Sequence, residues 1–210
     1  MASMTANSAP VVVTMDEDWT AGIGGGLWST GVALSRYFTS NSGLLRARLS
    51  GKKCCELGSG NGYLASVLAS VVEDCEVWVT DDDDHADLMR RTVEKNRGMG
   101  LIKGAEERVK VVRLLWGEDD LGETFDFIFG TDVVYRDHLH APFLSALCTH
   151  LSPTGTAIVG VCMSDTSVSF FDKLREAGFV YERMDDAVMP EEMRGDMFAL
   201  LAIERDVKSG

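Results

Sequence analysis

Glu56-Leu57-Gly58-Ser59-Gly60-Asn61-Gly62 stands between an apolar run and a helical repeat. Residues 52–57 read as a short strand. Leu64, Val67, Leu68 and Val71 then recur at i, i+3, i+4 and i+7, one face of a helix. A glycine-rich turn between strand and helix lets backbone N–H groups and the helix N-terminus approach a ligand closely. In the dinucleotide fingerprint the third glycine follows the second by three residues, and here that position is Tyr63. The glycines fall instead at 58, 60 and 62, with Glu56 two residues before the first.

On either side the chain alternates. Upstream, residues 11–14 form a candidate edge strand and residues 22–26 a flexible glycine loop. Leu27, Gly31, Leu34 and Phe38 share a helix face, followed by a polar loop over residues 39–43. Downstream, strands are expected over residues 76–80, 109–115, 125–130 and 156–162. Helices between them are marked by Ala86, Met89 and Val93, and by Leu139, Phe143, Ala146 and Leu147. Residues 152–155 read as a turn. Phe170, Leu174 and Ala177 mark a last helix, with Gly178 as its cap. Two closing strands, residues 179–183 and 197–203, are expected to pair antiparallel. The pattern is α/β: a doubly wound, seven-stranded, mostly parallel sheet with a C-terminal antiparallel hairpin. Residues 1–10 are expected to be a disordered tail, and residues 11–210 a single domain.

A chain of 210 residues with 45% hydrophobic and 25% charged content suits one soluble domain. Its net charge of −13 argues against general nucleic-acid binding and is compatible with a cationic substrate. Cys54, Cys55, Cys75, Cys148 and Cys162 include no C-x-x-C pair, so reduced thiols are expected and a zinc site is not. No signal peptide, membrane-length apolar run or lipidation motif is visible. The expected setting is a reducing compartment, the cytoplasm or nucleus, and the expected state a monomer.

In doubly wound sheets ligands sit outside the carboxyl ends of the strands, at the switch point. Asp81 ends the second strand roughly 20 residues after Gly58, where such folds accept hydrogen bonds from ribose hydroxyls. The acidic run Asp81 to Asp84 also suits a helix cap. Trp116 follows the third strand and suits either an adenine ring or the core. Asp132 and Tyr135 lie just beyond the fourth strand, poorly placed for a core and well placed for a substrate. His85, His138, His140 and His150 stand at helix starts and ends, which suits surface or capping roles.

Taken together, Leu27-Trp28, the glycine segment led by Glu56, Thr80-Asp81, Leu115-Trp116-Gly117 and Phe125-Asp126-x-Ile128-x-Gly130-x-Asp132-x-x-Tyr135 resemble methyltransferase family 16. These are seven-β-strand, Rossmann-like class I methyltransferases that act on protein lysines and use S-adenosylmethionine, with no metal. The resemblance runs from about residue 11 to 204. It implies that Trp28, Glu56, Gly58, Ser59, Gly60, Asp81, Trp116 and Thr131 serve the cofactor, and that Asp132 and Tyr135 face the substrate lysine. It further implies a protein substrate of the chaperone, ATPase or translation-factor kind. One departure is Ser29, where many relatives carry an acid. The alternatives are a small-molecule methyltransferase and a cofactor-binding scaffold without activity.

Overall fold

The computed structural model describes residues 13–206. The expected tail at residues 1–10 and the first half of the expected edge strand lie outside them. Seven strands form one sheet: β1 (Lys53–Leu57), β2 (Glu76–Asp81), β3 (Val109–Arg113), β4 (Phe125–Thr131), β5 (Leu151–Cys162), β6 (Phe179–Arg183) and β7 (Phe198–Arg205). Their order is β3-β2-β1-β4-β5-β7-β6. The first five run parallel, and β7 lies antiparallel to both β5 and β6. The expected fold class is the observed one.

Strand alternation divides the core between two helical layers. Cys54, Val77, Val79, Phe127 and Phe129 pack with α1 (Ser29–Ser40), α2 (Ser42–Leu49), α3 (Tyr63–Val71) and α4 (Ala86–Gly98). Cys55, Leu57, Ile128, Ala157 and Val159 pack with α5 (Asp137–His150) and α6 (Val168–Glu176). Phe125 and Phe127 are two residues apart yet face opposite layers. The reason is a bulge: Phe125 pairs with Leu151 and Phe127 with Thr156.

Five local expectations differ from the structure. The polar loop after α1 is short, and α2 follows at Ser42. Leu45 and Leu49 are buried one turn apart, each side chain contributing roughly 1.5–3 kcal/mol, which overrides the weak helix signal of Asn41-Ser42-Gly43. The turn at residues 152–155 is absorbed into β5 by the bulge. Leu27 precedes α1, and β3 stops at Arg113. Val13 and Thr14 form no strand: the Asn96 side-chain amide takes the place of a partner strand, accepting from the Thr14 N–H at 2.9 Å and donating to its carbonyl at 2.6 Å.

Candidate functional site

The strand order reverses between β1 and β4, so the crevice beyond their carboxyl ends is the switch point. The glycine loop leaves β1 on one side of it, and Asp132 leaves β4 on the other. Gly58, Gly60 and Gly62 all have left-handed backbones, φ 71°, 58° and 77°. A Cβ on Gly58 would stand 2.7 Å from Val133 and 3.0 Å from Trp116, and one on Gly60 would run into the Gly24 carbonyl. Close approach therefore restricts both positions to glycine.

Glu56 is buried and faces its own loop. Its Oε2 accepts the Ser59 hydroxyl at 2.5 Å and the Ala65 N–H, in the first turn of α3, at 3.0 Å. Burial pushes its carboxyl up to about 8, against the pull of those two bonds. Ser59 in turn donates its N–H to the Thr80 carbonyl at 2.9 Å, which ties the loop to β2.

Asp81 ends β2 against that loop. Its Oδ2 accepts the Gly60 N–H at 2.7 Å, and its Oδ1 accepts the Asp82 N–H at 2.8 Å. His85 Nδ1 lies 3.1 Å from Asp81 Oδ1 and 3.0 Å from Asp82 Oδ1. The hydrogen bond that His85 donates to Asp81 leads the effects that raise His85 to about 9, against burial. These three residues set one potential ligand atom each within 4.8 Å of one another, an arrangement already accounted for by a histidine bonded to two carboxylates.

Residues 18–26 cross over this corner as a strap of two short 3₁₀ turns, Trp19–Ala21 and Ile23–Gly25. Gly24 is wedged between Gly60 and the His85 ring. The strap leads to Trp28, which donates its indole N–H to the Ile23 carbonyl at 2.8 Å and meets Trp19 edge-on at 6.2 Å. Trp116 packs edge-on against Phe143 at 5.5 Å, and its buried indole N–H has no partner among the described residues. Thr131 pairs with Gly160 of β5.

Asp132 is half-buried, with its Oδ2 accepting the Thr30 hydroxyl at 2.7 Å and the Thr30 N–H at 3.3 Å. Burial raises its carboxyl, the Thr30 bonds lower it, and the nearby Asp165 charge raises it again; the net direction is upward. Tyr135 is half-buried, with the Arg136 guanidinium 5.8 Å from its ring centre. His140 holds the connecting segment: it is fully buried and its Nε2 lies 3.0 Å from the Val134 carbonyl. His150 is fully buried as well. The expectation of surface or capping roles fails at His140 and His150, whose buried rings meet backbone carbonyls, and at His85, whose ring turns back to the carboxylates of Asp81 and Asp82, four and three residues earlier. A cavity of about 220 Å³ lined by Tyr37, Arg48, Lys52 and Phe127 lies at the amino ends of the strands, opposite the glycine loop.

The donor set fits an adenosyl cofactor: a turn with no space for side chains, a carboxylate beside it, and an indole N–H without a partner at the same crevice. Thr30 and His85 are additions that sequence reasoning passed over. The signal for His85 was its position four residues after Asp81, and Thr30 had none.

The sequence profile of a family described as lysine methyltransferase matches residues 7–177. The chain is 27% identical over 176 residues to the protein N-lysine methyltransferase METTL21A of Danio rerio, covering 81% of this chain and 76% of that protein. It is 26% identical over 198 residues to the protein N-terminal and lysine N-methyltransferase EFM7 of Gibberella zeae, covering 81% and 73%. Among solved structures, the magnesium protoporphyrin IX methyltransferase of Synechocystis with bound S-adenosylhomocysteine has a TM-score of 0.58 at 15% identity, covering 83% and 84%, a likeness of fold.

Proposed function

The chain belongs to the lysine methyltransferase family, and on that premise we propose that it transfers a methyl group from S-adenosylmethionine to a lysine side-chain amine of a protein. The observation that carries the reading is the position of Asp132. Its carboxylate stands across the switch point from the glycine loop, within the matched family region. Bound there, S-adenosylmethionine supplies an electrophilic methyl on sulfur. Gly58, Ser59 and Gly60 would hold the cofactor with the N-terminus of α3, Asp81 would take its ribose, and Trp28, Trp116 and Thr131 would line it. Glu56 acts one step removed, by fixing the loop.

Holding the amine in near-attack geometry contributes roughly 7–11 kcal/mol at its largest. The lysine must also be neutral, about 3.4 units below its ordinary value at pH 7, a cost of roughly 4.6 kcal/mol. A carboxylate beside the amine increases that cost. Asp132 is therefore assigned to capturing and orienting the ammonium, and Tyr135 to packing along the lysine; desolvation lowers the amine's proton affinity and the proton leaves to water. The proposed substrates are proteins of the chaperone, ATPase or translation-factor kind, met by a monomer in the cytoplasm.

Labelled S-adenosylmethionine incubated with the protein and a cell extract should mark a protein band, with the label on lysine. Asp132→Ala should keep S-adenosylmethionine affinity within about threefold, under ~0.7 kcal/mol, and lower the labelling at least roughly tenfold. Label on a small molecule or nucleic acid, or full lysine labelling by Asp132→Ala, overturns the assignment.

A further inference from the structure

Among the described residues, Asp132 is the non-glycine residue with a left-handed backbone, φ 55°. Such a conformation is strained and persists where surrounding structure imposes it. Two elements do so here. The Asp132 N–H donates to the Gly160 carbonyl of β5 at 2.9 Å, and Thr30 gives the carboxylate both its hydroxyl and its N–H. Thr30 is fully buried in the first turn of α1, seated against Gly160 where no Cβ fits beside it. Both Thr30 bonds fall on Oδ2; Oδ1 has no partner among the described residues.

We propose that Thr30 is a positioning residue for methyl transfer, anchoring Asp132 Oδ2 so that Oδ1 is left to receive the substrate ammonium. This rests on the lysine reading above. The chemistry favours it. Burial and the Asp165 charge both work to protonate Asp132, and a neutral carboxyl would hold an ammonium poorly. Donors aimed at the charged form oppose that, as does the positive end of α1. Asp165, in the turn after β5, is the charged group that acts on Asp132, and no cation is ion-paired with it among the described residues. The plainer alternative is that Asp132 is simply a cap for α1, whose Trp28 supplies no side-chain bond.

The test is a carbon-13 NMR titration of the Asp132 carboxyl, assigned by its loss in Asp132→Asn, in Thr30→Val and Thr30→Ser. Valine keeps the shape of threonine and lacks the hydroxyl, whereas serine keeps the hydroxyl. The Asp132 midpoint should rise by about one unit or more in Thr30→Val and stay within about 0.3 unit in Thr30→Ser. S-adenosylhomocysteine affinity should stay within about twofold in both. Lysine labelling at saturating cofactor should fall roughly tenfold for the valine and remain for the serine. A valine variant that titrates like the wild type, or a serine variant that loses as much rate, overturns the proposal. If Thr30→Val does not fold, Thr30→Ala replaces it with the same expected outcomes. The titration needs no substrate: a shifted midpoint with no lysine labelling by the wild type overturns the lysine reading, and with it Thr30's part in transfer, while the anchor stands.

Discussion

Asp81 is already well occupied by the protein. A carboxylate offers about four acceptor positions, and the Gly60 N–H, the Asp82 N–H and His85 each take one. A ribose hydroxyl finds a position on Oδ2, and a second hydroxyl must displace one of these bonds. Asp81→Ala should still weaken S-adenosylmethionine binding by about 1.5–3 kcal/mol, whereas Asp83→Ala, whose carboxylate meets Arg113 at the surface, should change it little; calorimetry that finds equal losses refutes the ribose role. The same residues set a pH dependence. Glu56 is raised from 4.5 to about 8 and His85 from 6.5 to about 9. A raised group adds stability that is present below its unfolded value and lost as pH rises through its folded one. The thermal midpoint should therefore fall with rising pH, through Glu56 between about 4.5 and 8 and through His85 between about 6.5 and 9. Glu56→Gln should flatten the first interval and His85→Asn the second; a wild-type midpoint that climbs throughout contradicts both. The placement of Asp81, Gly58 and Gly60 at the switch point was legible because it follows from local spacing. Thr30 was not, since its partner is 102 residues away and nothing near it in the chain announces the contact.

Among the elements, the strap of residues 18–26 was the least legible. Its glycines read as freedom, and in the fold they mark close approach. Backbone bonds from Asp18 to Gly25 at 3.0 Å and from Gly25 to Gly22 at 3.1 Å close it on itself. Asp18 meets Arg91 of α4 at 3.3 Å, and just before the strap Asp16 meets Lys95 at 2.6 Å. Gly24 has no space for a side chain because the His85 ring is there. Gly24→Val should push the strap off this corner and weaken S-adenosylhomocysteine binding at least roughly tenfold. Lys95→Ala, losing an exposed pair worth about 0.2–1 kcal/mol, should do far less. Equal affinities in Gly24→Val and wild type would mean the strap has no part in holding the cofactor. Helix α2 was missed for a related reason: its polar start looks like a loop until Leu45 and Leu49 find the sheet. The strands and the other helices were legible because burial on two faces leaves a strong apolar signature.

At the scale of the whole molecule, the charge of −13 acts over distance rather than at one contact. A basic protein substrate should be drawn to this surface, so its KM for methylation should rise severalfold between roughly 0.05 and 0.3 M salt as screening shortens the reach of the field. A flat salt profile removes net charge from recognition. The sheet order was legible as a class and not in detail, because the pairing of β7 with both β5 and β6 depends on which strand edges remain free once the parallel strands have assembled. That pairing bears on how the protein is made. Strand β6 leaves the ribosome before β7, yet among the described residues its one strand partner in the sheet is β7. The nascent chain therefore carries a finished β6 with no strand to join, and the open edge of β5 waits beside it. Both are closed by β7, the last of the seven described strands in chain order, so this sheet is completed only once β7 has emerged.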